Sequence, residues 1–578
     1  MEVKLNPKVR QNCIIAIPPD DFINLQRFYT LRNKLRDPSR CQECVSFLRS
    51  FLPVDYKSEF VQLCSLALPV FLSCLSDYLI SFVSTVFCGH LGRVELDGVT
   101  LATAVINVMG IGIGHGLAAA CDTLVSQAFG GNNFCQVGVI TQRGILILLL
   151  SCLPCCALLI NTESLLLVMG QRPEVARISQ LYVKFFLPGL PASFMYIMEV
   201  KYLQNQGIIW PLVITGVLAN VLNALINYIL LFVLDVGVAG SAVANTISQY
   251  ALAILLFVYV RWKGLHKDTW AGWSMDCLQD WKSFIHLAIP SMLMLCAEWW
   301  TYEIGGLLSG LISEVELGAQ SVVFGLANIA FMFPLGFSVA GCVRVGIAMG
   351  AGNVAQAKLS AKLSMVCAVA VGMLLATVIG SAKNVIAYIF TNDKDIRMRV
   401  ATVMVLYAPF HLLDAAAAAS GNIVRGLGKQ KIGAVCNLVG YYGVGFPIGI
   451  SLMFATKLGI VGLWTGLLIS VLLQSVFLIV LLFKLNWEKA SEEAQIRAGV
   501  QTRRVDNGAQ EDGGYIERDV QDIATDVDGL VVEPPSVELT SLRAPLPLRA
   551  LVLRRGLALA AMLTLLAAGL ITNVLLNS

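Results

Sequence analysis

Thirteen apolar runs, each close to the roughly 20 residues that a helix needs to cross a bilayer, recur along this chain near 60–86, 98–125, 139–161, 178–198, 211–233, 238–261, 284–312, 317–343, 361–382, 400–420, 433–455, 460–485 and 550–576. In hydrocarbon no backbone polar group can be left unpaired, so uninterrupted runs of this length must be helices. The expected fold class is therefore an all-α polytopic membrane protein. Only 14% of the residues are charged, against about 25% in soluble domains. The net charge of +3 gives no reason to expect a nucleic-acid partner. The first 57 residues are polar and basic and lack the apolar core of a signal peptide.

The runs repeat. A shift of 221 sets Leu66-Ala67-Leu68-Pro69 on Leu287-Ala288-Ile289-Pro290, Asp77 on Glu298, Glu95-Leu96 on Glu316-Leu317, Cys121 on Cys342, and Gly131-Asn132 on Gly352-Asn353. Pro188 then meets Pro409 and Gly207 meets Gly428; after a slip of one, Gly237-Val238-Ala239-Gly240 meets Gly459-Ile460-Val461-Gly462. Each copy holds six spans, an even number, so both copies share one orientation. Two parallel six-helix lobes related by an axis along the membrane normal follow, with a thirteenth helix outside the repeat. The expected organisation is an N-terminal arm (1–58), a first lobe (59–262), a linker (263–282), a second lobe (283–486), an acidic disordered segment (487–548) and a last span (549–578). Residues 488–545 hold 13 acids against 6 Lys and Arg and few aromatics, a composition that cannot bury enough apolar surface to fold.

Cations fix the orientation. Lys201, Arg261, Lys263, Lys267, Lys282, Arg344, Lys358, Lys362, Arg425, Lys429, Lys431 and Lys484 fall in loops on the side of the basic N-terminus. Glu95, Asp97, Glu163, Glu314, Glu316 and Asp393 fall on the other. The N-terminus is expected in the cytoplasm and, after thirteen spans, the C-terminus outside. The stretch 383–399, with Lys383, Lys394, Arg397 and Arg399 on the outer side, runs against this pattern.

Function is expected where the apolar pattern breaks. Glu298 and Glu303 lie within the seventh run, in Cys296-Ala-Glu298-Trp299-Trp300-Thr301-Tyr302-Glu303. A carboxylate at the bilayer centre costs about 2.5–3.5 kcal/mol on insertion scales, so it normally serves an ion or a substrate. Glu298 and Tyr302 share one helix face and Trp299 and Glu303 another; the two acids are roughly 140° apart around the axis. Anionic and aromatic groups together suit an organic cation. Asp414, in Phe410-His411-Leu412-Leu413-Asp414-Ala415, is a further acid in the tenth run, followed by small residues that leave space; pairing with His411 is its structural alternative. Asp77 holds the position equivalent to Glu298, and Asp122 and Arg344 read as fixed structural charges. Gly110-Ile-Gly112-Ile-Gly114-His115-Gly116 lies inside a span and reads as close helix packing, not as a dinucleotide loop. Arg425-Gly-Leu-Gly428-Lys429 lacks the residues of a phosphate loop, so the energy source must be an ion or substrate gradient. Cys41-Gln42-Glu43-Cys44, with only Cys13 nearby, is short of a zinc ligand set. No metal or other cofactor is expected.

Cys88-Gly89-His90-Leu91-Gly92, Asp122-Thr123 with Gln127-Ala128-Phe129-Gly130, Tyr202-Leu203-Gln204-Asn205-Gln206-Gly207, Glu298-Trp299-Trp300, Arg344-Val345-Gly346, Gly350-Ala351-Gly352-Asn353 and Gly462-Leu463-Trp464 together resemble the multidrug and toxin extrusion family, its vertebrate branch above all, over about residues 60–487. The thirteenth span also fits that branch. The resemblance implies a proton-coupled exporter of small organic cations, working as a monomer in the lipid bilayer at the apical membrane of kidney and liver cells. It places the family's second-lobe acids on Glu298, Glu303 and Asp414, where Asp stands for a usual Glu. A fourth acid falls on Gly325 and is missing; the first-lobe Asp of bacterial relatives falls on Ser84. Trp299, Tyr302, Asn107, Phe324 and Phe331 are the implied substrate contacts. A flippase for lipid-linked substrates, which shares a two-lobe architecture, is the alternative; it would need cations at mid-membrane, which the sequence does not supply.

Overall fold

The computed structural model describes residues 54–391, 393–500 and 547–577. The Cys41/Cys44 pair with Cys13, the N-terminal arm to residue 53, and positions 501–546 of the acidic segment lie outside the described residues.

The described chain is helical throughout its spans. The first lobe comprises α1 (Tyr56–Gly89), α2 (Val94–Gly130), α3 (Phe134–Ile160), α4 (Pro173–Gln204), α5 (Trp210–Val233) and α6 (Val238–Lys263). The second comprises α7 (Trp281–Gly310) and α8 (Glu314–Gly350), α9 (Val354–Ala382), α10 (Lys394–Gly426), α11 (Gln430–Phe454) and α12 (Ile460–Lys484). Then come α13 (Trp487–Ala498) and α14 (Arg549–Leu576). Twelve of these are both long and apolar enough to cross a membrane. The other long one, α7, has 30 residues, or about 45 Å; Glu298, Trp299, Trp300, Tyr302 and Glu303 hold down its apolar character. The most polar of the expected spans is thus the one singled out above for function.

The two lobes follow one plan. Gly207 and Gly428 both end a helix at φ +77°, and Gly237 and Gly459 open one at φ +69° and +61°. Ahead of these points the register departs locally from a uniform shift. Asn133 caps α3 by accepting from Gln136 N at 3.2 Å, and Asn353 caps α9 by accepting from Gln356 N at 3.0 Å. That pairing places Asn133, not Asn132, opposite Asn353, so the sequence match of Gly131-Asn132 with Gly352-Asn353 is one residue out. The cause is a π-helical turn in α2, Asn107–Ile111, which takes one more residue than an α-turn and which α8, one unbroken helix, lacks.

The leading helix of each lobe is seated on the opposite lobe. Leu63 and Ala67 of α1 pack with Ala340, Phe337 and Leu363 of α8 and α9, and Phe71 stacks on Phe333 at 4.2 Å. Buried Glu59 accepts from Arg344 Nε at 3.0 Å and from Ser360 Oγ at 2.6 Å. In the mirror arrangement Trp281, Phe284, Leu287 and Ala288 of α7 belong to the first lobe's core. These crossings lie at the end of the bundle that carries the linker and most cations, called the basic end below.

Two expectations need correction. Residues 487–498 are not disordered: they form α13, which starts on Asn486, whose side chain accepts from Lys489 N at 3.1 Å, and buries Ala490, Ser491, Ala494 and Ala498. Three of the 13 acids, Glu488, Glu492 and Glu493, lie on α13 itself, but they leave free an alanine face spaced for a helix. Lys201 and Arg425 are not in loops. Both sit in the last turns of α4 and α10, and their side chains are only 12% and 10% exposed. The outer-side cations that ran against the charge pattern are partly neutralised: Arg399 Nε lies 2.6 Å from Glu316 Oε1, and Arg397 lies over the Tyr388 ring at 4.0 Å. The last span, α14, lies along α3, where Asn161 Nδ2 donates to Gly569 O and Asn573 Nδ2 to Ile160 O, both at 3.0 Å.

Candidate functional site

The acids of the second lobe converge in part. Glu298 of α7 and Asp414 of α10 lie close enough to act on one another electrostatically. Tyr302, one turn beyond Glu298, is within reach of both. Its hydroxyl lies near that of Tyr441, which sits in the π-helical stretch of α11, Leu438–Gly445. The Tyr302 ring stacks on Phe324 at 5.8 Å and tilts against Trp464 at 6.4 Å. Trp464 is fixed in turn: its Nε1 donates to Gln320 Oε1 at 2.9 Å, and Tyr407 and Phe410 meet it edge-on at 5.5 and 5.1 Å. Glu298 is in no ion pair among the described residues and is only partly buried. Its carboxylate is available to a ligand, beside an aromatic wall that does not depend on that ligand for its shape.

His411 is not the partner of Asp414. Its Nδ1 lies 3.3 Å from the Tyr407 hydroxyl, and its Nε2 is buried without a partner. The other expected residues lie elsewhere. Trp299 turns to the first lobe, with its ring 5.9 Å from His115 and against Gly112. Asn107 is half-buried at the start of the π-turn in α2. Nearby, Trp300 Nε1 donates to Val108 O across the lobes at 3.1 Å. Glu303, on the other face of α7, forms no ion pair among the described residues. Phe331 is half-buried on α8, two turns from Phe324. Tyr441, Tyr407 and Arg425 were missed as members of the cluster. The π-stretch that presents Tyr441 has no signature in apolar periodicity.

In the first lobe the acid equivalent to Glu298 has a partner within the lobe. Asp77 accepts from the Tyr196 hydroxyl at 3.0 Å. Ser84 Oγ donates to Asn223 Oδ1 at 3.4 Å, and Asn223 Nδ2 to Ser248 Oγ at 3.0 Å, all of them buried.

Below the acids the lobes are closed. Asp122 of α2 lies 2.9 Å from Lys201 Nζ and 3.7 Å from Arg425 Nη1 of the second lobe, and accepts from Asn205 Nδ2 at 3.2 Å. Thr123 Oγ1 donates to Arg425 O at 2.6 Å, Gln127 Nε2 to Gly426 O at 2.9 Å, and Gln430 Nε2 to Thr123 Oγ1. Two glycines make the approach possible: a Cβ on Gly130 would overlap Ile347 O, and one on Gly350 would overlap Gln127 O. These are the same contact seen from each side of the pseudo-twofold axis. Gly116 of the glycine string lies against the Met292 backbone, which is the close packing expected of it. Arg425 belongs to both layers. It faces Asp122 in the closed end and also lies within electrostatic reach of Glu298.

A family model described as MatE matches residues 69–229 and 290–450, the second match beginning and ending 221 residues after the first. Multidrug and toxin extrusion protein 1 of Danio rerio is 60% identical over 552 residues, covering 93% of this chain and 94% of that one. Multidrug and toxin extrusion protein 1 of Homo sapiens is 49% identical over 537 residues, covering 90% and 94%. Among solved structures, the eukaryotic MATE transporter AtDTX14 superposes with a TM-score of 0.74 at 29% identity, covering 77% of this chain and 100% of that one. The Vibrio cholerae MATE transporter VcmN, in its bent form, has the same fold at 17% identity, with a TM-score of 0.65 and coverage of 77% and 100%.

Proposed function

Because the chain belongs to the MatE family of multidrug and toxin extrusion transporters, we propose that it is a secondary antiporter that exports small organic cations in exchange for protons. The observation that carries this reading is the pair Glu298–Asp414, two interacting carboxylates inside the bundle beside the Tyr302 ring. A cation entering from the basic end, cytoplasmic by the distribution of Lys and Arg, meets negative charge and an aromatic face. Cation–π contact of this kind contributes about 0.5–2 kcal/mol. The lobes rock, the basic end closes as described above, and a proton from outside takes the charge that held the cation. Proton and cation compete for one coupled pair of acids, and that competition is the exchange.

Glu303, Trp299, Asn107 and Phe331 line the route in this reading, and Phe324 backs the Tyr302 ring. The protein works as a monomer in the plasma membrane, apical in epithelial cells, with its last span ending outside. The flippase alternative needs free cations for a pyrophosphate. Of the buried cations near the site, Lys201 and Arg425 are both turned to Asp122. The test is uptake of labelled tetraethylammonium into vesicles under an imposed pH gradient. Glu298→Gln, which keeps the shape and removes the charge, should abolish it at normal expression. Near-normal gradient-driven uptake by that variant would overturn the proposal.

A further inference from the structure

At the basic end, on the outer surface of the bundle, α7, α11 and α14 enclose a groove of about 530 Å3. Four groups that can carry positive charge line it: Lys282 and His286 of α7, Lys431 of α11 and Arg555 of α14. Its other wall is apolar. Ile285 and Ile289, one turn apart on α7, are 36% and 45% exposed. Arg555 is oriented by its surroundings: Nε and Nη2 donate to Leu278 O at 3.0 and 2.6 Å, and the guanidinium lies 4.0 Å over the Trp281 ring. The nearest acid, Asp280, is within reach of Arg555 but also of Arg143. Lys282 and Lys431 are exposed and are in no ion pair among the described residues.

Unpaired cations at the headgroup level above an apolar slot are the complement of an anionic phospholipid. The cytoplasmic leaflet is the anionic one, and basic pockets between spanning helices on that side take such headgroups. We propose that this groove binds an anionic phospholipid of the cytoplasmic leaflet, phosphate on Lys282, Lys431 and Arg555 and acyl chain along Ile285 and Ile289. The lipid would tie the last span to the helix that carries Glu298. The inference rests on the orientation given by the cations and not on the transport reading, and its test reads binding alone.

Full-length protein in detergent is titrated with short-chain phosphatidylserine or phosphatidylcholine, and lipid adducts are counted by native mass spectrometry. The wild type should bind phosphatidylserine about 100-fold more tightly than phosphatidylcholine, roughly fivefold for each of the three cations. Lys282→Ala with Lys431→Ala should weaken phosphatidylserine about 25-fold, roughly fivefold per lysine, and leave phosphatidylcholine unchanged. Lys282→Arg with Lys431→Arg should keep the preference, which guards against a misfolded alanine variant. Equal binding of the two lipids by the wild type, or an undiminished preference in a folded alanine variant, would overturn the site. Inorganic phosphate or glycerophosphoserine displacing the lipid at equal concentration would overturn the lipid as its occupant, since neither uses the apolar wall.

Discussion

Arg497 offers the sharpest quantitative test of how the lobes are held. It lies on α13, outside both lobes, and grips each of them. Nε donates to Gln127 Oε1 of α2 at 3.0 Å, and Nη2 donates to Leu427 O, just past α10, at 3.2 Å. The rest of α13 repeats the pattern: Ala498 O accepts from Asn133 Nδ2 at 2.9 Å in the first lobe, and Lys429 Nζ meets Glu493 at 2.6 Å in the second. Opening the basic end must break one set or the other. Hydrogen bonds to a charged group contribute about 1.5–3 kcal/mol each. The Arg497 side chain is 20% exposed, so water recovers part of that. A net loss of about 2 kcal/mol for Arg497→Ala corresponds to about a 30-fold shift toward the open form. Hydrogen exchange reads this directly, because amides that exchange only through lobe opening speed up by the same factor. Peptides covering 118–131 and 423–432 should exchange up to about 30-fold faster in Arg497→Ala, with core peptides of α12 unaffected. If α13 itself loses protection while those two peptides do not change, α13 does not hold the lobes together and the reasoning fails.

Further outcomes follow from the same geometry. Asp414→Asn should express normally, since His411 is bonded to Tyr407 and not to Asp414, and should shift the external-pH dependence of exchange; a well-expressed variant with the wild-type pH profile would remove Asp414 from the coupled pair. Gly350→Ala adds a methyl where Gln127 O already lies, so the lobes should no longer close at the basic end and exchange at 118–131 should rise as it does for Arg497→Ala, measurable in the same experiment. Glu493 is held below the ordinary glutamate pKa by the hydrogen bond and charge of Lys429, with Arg497 and Lys489 adding to it against the opposing effect of burial. A lowered folded pKa means that this carboxylate contributes fully above about pH 4.3, the unfolded value, and is lost as pH falls through the lower folded one. A spin label at Val500 should therefore report the same docking from pH 8 to pH 5 and release only below about pH 4; release near pH 6 would show that another group controls α13.

The fold was legible because its determinants are local or periodic. Run length gave the spans, the repeat gave the lobes, and the acids within one run marked α7 before any contact was known. What escaped was set by features with no such period. The π-turn at Asn107–Ile111 shifts the lobes by one residue and left the Asn132/Asn353 match off by one. The matching stretch in α11 presents Tyr441 to Tyr302, a contact that no apolar pattern announces. Lys201 and Arg425 look like loop cations because each stands a few residues before a helix-ending Gly, Gly207 and Gly428. Their meeting at Asp122 depends on two helices of different lobes, which sequence spacing cannot place. Helix α13 was hidden for a different reason: twelve residues with a short alanine face were averaged into an acidic stretch several times longer.

The asymmetry of the two lobes gives the site its direction. In the first lobe Asp77 is answered by Tyr196, and Ser84, Asn223 and Ser248 satisfy one another, while Glu199 Oε2 is buried without a hydrogen-bond partner. In the second lobe Glu298 and Asp414 share a space without a dedicated countercharge, and the nearest guanidinium, Arg425, is turned toward Asp122 across the lobe boundary. With the basic end shut, Arg425 is turned to Asp122 and is still within electrostatic reach of Glu298, so the arginine that completes the closed end also acts on the acids above it. A substitution that keeps the charge but shortens its reach, Arg425→Lys, separates these two duties: the closed end loses the contact to Asp122, already long at 3.7 Å, while a cation remains at the base of the site.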